Sequence, residues 1–305
     1  MIVFACPGQG SQTPGFLEPW LADPELRDLA RSYSAAAGID IVEHGTVSDA
    51  DTIRDTAVAQ PLIVAAGLIT AHALRRAGVR IAAVAGHSVG EITAAAIAGV
   101  FGEADALRFV RLRALAMAEA AAAVPTGLSA VLGGEASEVI AAAETLGLEP
   151  ANYNGGGQIV VGGALDVLAR LAAEPPRGAR VVPLQVAGAF HTRYMAEARE
   201  ALHAAAPGFA VTDPAITLWT NKDGSTVASG TAYLELLVGQ VASPVRWDLD
   251  MAAFEESGVT GLVELAPAGT LTGLAKRGLK GLPAVAIKSP DDIPAAVELA
   301  GATLP

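Results

Sequence analysis

The chain has 305 residues, which is enough for one large domain, or a large domain with a smaller insert, to bury a sizeable hydrophobic core. Its formal net charge is −12, from 32 acidic and 20 basic residues without a basic run, so a nucleic-acid partner is not expected. The single cysteine, Cys6, excludes an internal disulfide and a cysteine-based zinc cluster, and we expect it to be a buried thiol.

Neither a signal peptide nor a membrane span is predicted. The first residues, Met1–Gly10, lack the basic start and long apolar run of a signal peptide. Apolar stretches such as Pro61–Ala73 and Val79–Ala85 are shorter than a membrane span. We therefore expect a cytoplasmic protein that does not associate with a membrane.

Strand and helix patterns alternate along most of the chain. An apolar strand at Ile2–Cys6 is followed by a helix at Pro61–Gly78, with proline at its start and glycine at its end, and by an apolar strand at Arg80–Gly86. The further predicted elements are helices Glu91–Val100 and Glu103–Ala123, strand Ala215–Thr220, helix Thr231–Val241, strand Thr260–Leu265, helix Thr270–Lys280, strand Ala284–Ile287 and helix Asp292–Ala300. Continuously apolar strands separated by helices predict an α/β fold with a parallel sheet covered by helices on both faces.

The middle of the chain has a different order of elements. Strands are predicted at Gly127–Leu132, Glu149–Tyr153, Gln158–Val161 and Arg180–Gln185, and helices at Ala136–Leu146 and Leu165–Ala173. The resulting order, β-α-β-β-α-β, is that of a ferredoxin-like unit. We predict a small domain at 125–188, inserted into a large α/β catalytic domain formed by 1–124 and 189–305.

A serine lies between the strand at Arg80–Gly86 and the helix that follows it. The segment Gly86-His87-Ser88-Val89-Gly90 has the strand, turn and helix setting of a nucleophile elbow, and the helix start supplies N–H groups and a positive dipole end beside Ser88. The glycine spacing alone is weak, because an ordinary glycine-rich turn with a capping serine has the same pattern. Ser88 is nevertheless the candidate nucleophile.

A serine nucleophile needs a base, and the chain has five histidines. His87 belongs to the elbow itself and should point away from Ser88. His44, His72 and His203 have no accompanying motif. His191 directly follows the small domain, where the chain re-enters the large one, and a crevice between domains is a favoured place for a site. We therefore predict His191 as the base, with a pKa near the ordinary value of about 6.5.

Three further segments are candidates for the site. The loop Pro7–Gln12 follows the first strand and could supply backbone N–H groups to an oxyanion, because it completes neither a dinucleotide fingerprint nor a P-loop. The segment Arg108–Arg113 carries three arginines, which would ordinarily face solvent. The segment Asn152–Gln158 is a polar hairpin turn.

Taken together, these motifs resemble the malonyl-CoA:acyl carrier protein transacylases of fatty acid synthesis and the related acyltransferase domains of polyketide synthases. The likeness runs in order from residue 3 to about residue 280. The matching segments are Pro7–Gln12, Gln60-Pro61, Gly86–Glu91, Arg111–Arg113, Asn152–Asn154, Ala189–His191 and Gln240–Trp247. The resemblance implies a hydrolase-like α/β core with a ferredoxin-like insert, which agrees with the architecture predicted from periodicity.

The resemblance also implies a role for each site residue. Ser88 would be the nucleophile and His191 the base. Arg113 would bind the malonyl carboxylate by a bidentate fork, and Gln240 would lie beside the base where other serine enzymes use a carboxylate. The remaining implied residues are the backbone N–H groups of Gln9 and Val89 in the oxyanion hole, Gln60 and Asn154 along the acyl pocket, and Phe190, which matches the malonyl-selective pattern.

The reaction implied is ping-pong transfer of malonyl from malonyl-CoA to the phosphopantetheine thiol of acyl carrier protein. No resident cofactor or metal is expected, and the enzyme should be a monomer. Val89 stands where many members have Leu, Gly155-Gly156 replaces a common Ser-Pro, and Ala266–Gly269 replaces a Gly-Pro-Gly-Lys. These departures put local turn details and one basic contact in doubt.

Three alternatives stay open at this point. A serine thioesterase or other hydrolase would use the same serine, histidine and oxyanion hole, although Arg113 has no purpose in a simple lipid esterase. A carrier-binding module without activity would not need Ser88, His191 and Arg113 together. A polyketide synthase acyltransferase acting in trans would share the chemistry and differ only in pathway.

Overall fold

The computed structural model describes residues 1–301 and contains two β-sheets surrounded by helices. The strands are β1 (Ile2–Cys6), β2 (Ala83–Gly86), β3 (Thr126–Gly133), β4 (Glu149–Gly155), β5 (Gln158–Ala164), β6 (Ala179–Pro183), β7 (Thr217–Leu218), β8 (Gly261–Glu264) and β9 (Ala284–Ala286). The α-helices are α1 (Glu18–Leu21), α2 (Pro24–Ala37), α3 (Ile41–Thr46), α4 (Thr56–Arg76), α5 (Gly90–Ala98), α6 (Glu103–Ala123), α7 (Ala136–Thr145), α8 (Leu165–Ala173), α9 (Ala196–Ala205), α10 (Gly230–Gln240), α11 (Trp247–Glu256), α12 (Thr270–Gly278) and α13 (Ile293–Leu299).

The large sheet is parallel, with β1 in its centre. Its strand order is β7-β2-β1-β8-β9, and every neighbouring pair is parallel. Phe4 and Cys6 of β1 belong to one buried cluster, and Val3 and Ala5 to another on the opposite face. Both faces are therefore covered, which confirms the predicted α/β class and explains why β1 is apolar throughout.

The small sheet is antiparallel and is formed by the middle of the chain. Its strand order is β4-β5-β3-β6, with α7 and α8 between strands in the order β-α-β-β-α-β. The β4–β5 turn contains Gly155, Gly156 and Gly157, all with positive φ (69°, 53° and 76°). Proline cannot adopt such a φ, so this turn cannot have the backbone of a turn with Ser-Pro at the first two positions. The domain limits at 125–188 stay a prediction, and residues 302–305 lie outside the described part.

The start of helix α4 differs from the sequence prediction. The helix begins at Thr56 instead of Pro61, because the Asp55 carboxylate accepts a hydrogen bond from the Ala57 N–H and caps the new N-terminus. Pro61 lies in the second turn, where it forfeits one backbone hydrogen bond without ending the helix. A proline inside the pattern was therefore wrongly interpreted as the first residue of the helix.

Helix α4 is also longer than the apolar stretch that suggested it. With 21 residues and a mean hydropathy of 1.7 in its most apolar window, it meets the length and composition of a membrane span. Within the protein, however, 83% of that window is buried. Contacts with α2, α5 and α6 cover it, and its side chains belong to the same buried cluster as Phe4 and Cys6 of β1.

Five helices, α1, α2, α3, α9 and α11, are not among the elements predicted from the sequence. The predicted strands at Arg80–Gly86 and Ala215–Thr220 are longer than the observed ones, since β2 begins only at Ala83 and β7 has two residues. Strand β2 ends at Gly86 beside Cys6 of β1. The turn that follows β2 therefore lies at the carboxyl edge of the parallel sheet, where sites in such folds form.

Candidate active site

The turn between β2 and α5 is a tight elbow with Ser88 at its apex. Ser88 has φ of 54°, a left-handed value that is strained for a non-glycine residue. A Cβ at Gly90 would lie 2.0 Å from the main-chain oxygen of Cys6, so only glycine lets α5 begin this close to β1. This geometry directs the Ser88 side chain away from the sheet edge and into a cleft.

His191 is the histidine that faces Ser88. Its Nε2 lies 2.7 Å from the Ser88 Oγ, and its Nδ1 donates to the main-chain oxygen of Gln240 at 2.9 Å. Because a carbonyl can only accept, the proton resides on Nδ1 and leaves Nε2 free to accept the serine proton. His191 also has a left-handed φ of 64°, and Ser88 and His191 are the two non-glycine residues with positive φ among residues 1–301. The structure thus brings together the serine and the histidine singled out in the sequence.

The environment of His191 corrects one expectation. Burial, helped by the positive charge of Arg113, lowers the pKa of His191 to about 3, whereas the sequence analysis expected an ordinary value near 6.5. The reason is tertiary, because the imidazole is 4% exposed and a guanidinium lies in the same cleft. The ring is therefore neutral, as a base must be, across the whole physiological range.

This shift gives a direct prediction for the resting enzyme. As pH is lowered from about 8 to about 5, the His191 ring should remain neutral, while a model histidine titrates near 6.5. NMR of ring-labelled histidine, with His191→Ala to assign the resonance, measures this. The same variant should acylate at a rate lower by about 10³-fold or more. A midpoint for His191 near 6.5 would contradict the assigned burial.

Arg113 of helix α6 is the buried cation of the site. Its side chain is 1% exposed, and it donates to Gln60 Oε1 at 2.6 Å, to Gln240 Oε1 at 2.8 Å and to Ser88 Oγ at 3.3 Å. Burial lowers the pKa of Arg113 to about 9, against the opposing attraction of Glu91, so the guanidinium stays charged at neutral pH. An anionic group near Ser88 would therefore find a desolvated positive charge.

The other arginines of this helix lie outside the site. Arg108 is exposed and pairs with Asp105. Arg111 is exposed and lies against Gly38, where an added Cβ would be 1.3 Å from its Nη1. Helical spacing thus separates the three arginines, and only Arg113 faces the cleft.

Gln240 contacts both His191 and Arg113, but through different groups. Its main-chain carbonyl orients His191, and its side chain accepts from Arg113 through Oε1. Its Nε2 donates to the main-chain oxygen of Ser88 at 3.1 Å and to the Glu91 carboxylate. Gln240 therefore lies beside His191 and contacts it through its main-chain carbonyl, not through its side chain.

Two backbone N–H groups lie at the elbow and at the loop after β1. Gln9 and Val89 both line the cleft beside Ser88. Among residues 1–301, no hydrogen bond engages the amide N–H of Gln9 or that of Val89. Unpaired backbone N–H groups beside a serine are the kind of donor that an oxyanion requires.

The cleft itself has a volume of about 250 Å³ and lies between the two sheets. The elbow, α6 and the start of α12 line one part of it, and Leu128, Ala130 and Val160 of the small sheet line another. Every side chain predicted for the acyl pocket lines it: Gln60, Arg113, Asn154 and Phe190. A larger cavity of about 750 Å³ lies on the far side of Gln240, but neither Ser88 nor His191 lines it.

His87 forms a link across the cleft that the sequence analysis did not assign. Its Nε2 lies 2.8 Å from Asn154 Oδ1, and Asn154 Nδ2 donates to Gln158 Oε1 at 2.9 Å. The His87 ring packs edge-on against Trp247 with centroids 5.7 Å apart. Asn154 of β4 thus contacts the elbow of the parallel sheet directly.

A buried polar network lies behind the elbow, and the sequence analysis missed it as well. Asn221 accepts from the Ser88 N–H at 2.7 Å and donates to the Asp250 carboxylate at 2.7 Å. The Asn221 N–H donates to Glu91 Oε1 at 2.7 Å. Burial raises the pKa of Glu91 to about 7, opposed by these hydrogen bonds, and it raises the pKa of Asp250 well above its ordinary value. Asn221 lies 130 residues or more from Glu91 and Ser88 in the chain, so no local sequence pattern predicts these contacts.

Comparison with known proteins gives the class and then the family. The acyl transferase domain family matches residues 3–298, so fold, site and family all define an acyl transferase. The malonyl CoA-acyl carrier protein transacylase of Mycobacterium tuberculosis is 51% identical over 296 residues, which cover 96% of this chain and 98% of that protein. The chain belongs to the malonyl CoA-acyl carrier protein transacylase family.

Solved structures agree with this assignment. The crystal structure of MCAT from Mycobacterium tuberculosis matches with a TM-score of 0.93 and 50% identity, covering 98% of this chain and 99% of that one. A second structure, PlMCAT:AntF, shows a type II PKS acyl-carrier protein in complex with its malonyl-transacylase. It matches with a TM-score of 0.91 and 28% identity, covering 97% of this chain and 99% of that one.

Proposed function

We propose that the protein transfers a malonyl group from malonyl-CoA to the phosphopantetheine thiol of acyl carrier protein through a malonyl ester on Ser88. The observation that carries the proposal is the arrangement around Ser88 Oγ. A neutral imidazole nitrogen lies 2.7 Å away and a buried guanidinium 3.3 Å away. The first suits acyl transfer, and the second suits an acyl group that ends in a carboxylate.

The first half-reaction forms the acyl-enzyme. His191 Nε2 takes the proton of Ser88 Oγ as the oxygen attacks the thioester carbonyl of malonyl-CoA, and the N–H groups of Gln9 and Val89 donate to the oxyanion. The intermediate collapses by breaking the carbon–sulfur bond, and His191 returns the proton to the leaving coenzyme A thiolate. Gln240, through its carbonyl, keeps the imidazolium oriented throughout.

The second half-reaction reverses these steps with a different thiol. The phosphopantetheine thiol gives its proton to His191 and attacks the malonyl ester, and Ser88 leaves with the returned proton. The chemistry needs no resident cofactor, because the acyl group arrives as a coenzyme A thioester and departs on a prosthetic group carried by the partner.

Substrate selection rests on Arg113. Gln60 and Gln240 hold the guanidinium in place. A malonyl carboxylate would accept a hydrogen bond from the N–H group that Arg113 now donates to Ser88 Oγ. Phe190 and Asn154 line the same cleft, with Phe190 limiting room for a branched acyl group. A serine hydrolase of simple esters has no use for this buried cation, which favours a malonyl substrate over a simple ester.

The pathway and setting are part of the proposal. We infer that the enzyme supplies malonyl groups to fatty acid synthesis in the cytoplasm and acts as a monomer. Transfer to the carrier protein of a polyketide synthase is the second candidate, favoured by the likeness to the malonyl-transacylase that was solved with a type II PKS carrier protein. Comparing transfer rates to carrier proteins of the two kinds distinguishes these outcomes.

Recognition of an acidic carrier protein requires a local basic surface, because the chain carries −12 overall. Lys276, Arg277 and Lys280 are exposed at the end of α12, whose first residues line the cleft. Arg277 also lies against Gly156 of the β4–β5 turn, because a Cβ added to Gly156 would be 2.7 Å from the Cβ of Arg277. Arg180 of β6 and Lys222 after β7 are also exposed basic residues. We propose that the end of α12 steers the carrier protein.

Reversal of charge at Lys276 and Arg277 tests this surface. The variant K276E/R277E should lower transfer to carrier protein roughly tenfold at low salt and weaken its dependence on ionic strength. Acylation of Ser88 by malonyl-CoA should stay near wild type. The control R170E/R177E makes the same charge change on the side of the small sheet opposite the cleft. Equal loss in both half-reactions, or no loss in either, would contradict the assignment.

A further inference from the structure

Glu91 is a buried carboxylate next to the active site, yet the proposed reaction does not use it. It is the second residue of α5, three positions after Ser88, and it is 1% exposed. It forms no hydrogen bond with Ser88 Oγ or with the His191 ring. One carboxylate oxygen accepts from the Asn221 main-chain N–H at 2.7 Å, and the other accepts from the side chain of Gln240. Burial of a carboxylate costs free energy, so an interaction of Glu91 must offset this cost.

The contacts of Gln240 indicate which interaction this is. The two ends of its amide have nearly the same shape, so only hydrogen-bond partners decide which end faces which neighbour. Arg113 offers only donors and therefore requires the oxygen. The Glu91 carboxylate and the Ser88 carbonyl offer only acceptors and therefore require the NH₂ group. Glu91 and Arg113 thus fix the amide from opposite ends.

We propose that Glu91 is a positioning residue for malonyl selectivity, whose carboxylate fixes the orientation of the Gln240 amide and, through Gln240, holds Arg113 beside Ser88. The inference rests on the proposed function, because it assigns the support of the cation that would bind the malonyl carboxylate. It also agrees with the electrostatics of the site, where the negative charge of Glu91 favours the charged form of Arg113 against burial.

Replacement of Glu91 by glutamine exchanges one acceptor for a donor at nearly constant shape. The Asn221 N–H is fixed in the backbone and will keep the new carbonyl oxygen. The new NH₂ group then faces Gln240, which must turn its oxygen toward residue 91 and its own NH₂ group toward Arg113. Two donors would face each other at the guanidinium. Arg113 would lose the acceptor that it now has at 2.8 Å and shift from Ser88.

The test compares two acyl groups that differ in their need for Arg113. Rates of Ser88 acylation by malonyl-CoA and by acetyl-CoA are measured at about pH 8, above the pKa of about 7 that burial gives Glu91. In Glu91→Gln, kcat/KM for malonyl-CoA should fall about tenfold or more, and the fall for acetyl-CoA should be several-fold smaller. Glu91→Asp keeps two acceptors and should recover part of the malonyl preference. Glu103→Gln is the matched control, since Glu103 also accepts from two side chains, far from the cleft.

A second variant separates positioning from folding. In Glu91→Gln with Gln240→Glu, the NH₂ group at 91 donates to a carboxylate at 240, which also accepts from Arg113, so these donors regain acceptors. Thermal stability should recover relative to Glu91→Gln. Malonyl preference should stay low, because the carboxylate introduced at position 240 already pairs with the Arg113 guanidinium. Equal losses for both substrates in Glu91→Gln, or restored malonyl preference in the double variant, would overturn the proposal. Failure of wild type to acquire malonyl on Ser88 would instead overturn the proposed function.

Discussion

Replacement of Ser88 by alanine is expected to lower malonyl transfer by about 10⁴-fold or more, the largest effect of any single change. The alanine cannot form the acyl-enzyme, so the two half-reactions lose their common intermediate. Steady-state transfer from malonyl-CoA to carrier protein measures the loss. Ser32→Ala, which removes an exposed hydroxyl that bonds within helix α2, is the control and should transfer at the wild-type rate.

Folding of the Ser88 variant can be followed separately. Ser88 is anchored by its main-chain N–H, which donates to Asn221, and alanine retains that bond. The left-handed φ of 54° is a property of the backbone, so its strain should change little when one side-chain oxygen is removed. A melting temperature near wild type with abolished transfer fits the account. Substantial transfer by Ser88→Ala would assign the nucleophile elsewhere.

Replacement of Arg113 by alanine should reverse substrate preference. The malonyl carboxylate would remain buried without its partner, at a cost of roughly 2–5 kcal/mol in transition-state binding, while acetyl-CoA has no carboxylate to strand. The ratio of kcat/KM for malonyl-CoA to that for acetyl-CoA should therefore swing toward acetyl by about 30-fold or more.

The ratio is the proper readout, because the variant also frees Gln60 Oε1 and Gln240 Oε1 from their donor. Those losses affect both substrates alike. Arg111→Ala is the matched control on the same helix, since Arg111 lies against Gly38 outside the cleft. An equal fall for malonyl-CoA and acetyl-CoA in Arg113→Ala would make Arg113 structural and leave malonyl recognition unexplained.

Periodicity and turn chemistry predict most of the helices and strands of this fold from the sequence. Helices α6 and α8 were predicted with the observed bounds, Glu103–Ala123 and Leu165–Ala173, because acidic residues in the first turn and a change of pattern at each end define them. The alternation of elements gave both the parallel sheet and the β-α-β-β-α-β order. Helix α2 was missed although Asp23 caps it, Pro24 begins it and Gly38 follows it with φ of 64°. Capping and stop signals therefore define this helix in the sequence.

The site divides in the same way between local and distant information. Five consecutive residues, Gly86–Gly90, predict Ser88 as a site residue, and the position after the β-α-β-β-α-β segment predicts His191. The burial that lowers the pKa of His191 depends on packing between distant segments, which no local pattern contains. The same holds for Glu91, Asn221 and Asp250, because their contacts join segments that lie 130 and 29 residues apart in the chain. Tertiary structure was also needed to show that Gln240 orients His191 through its carbonyl.

The most direct measurement is intact-mass spectrometry with peptide mapping on the wild-type enzyme, first after malonyl-CoA alone and then after addition of phosphopantetheinylated carrier protein. The account predicts one malonyl group per chain, located on the peptide that contains Ser88, and its complete transfer to the carrier protein in the second step. Malonyl found on another residue, or transfer to carrier protein without any acylated enzyme, would contradict it.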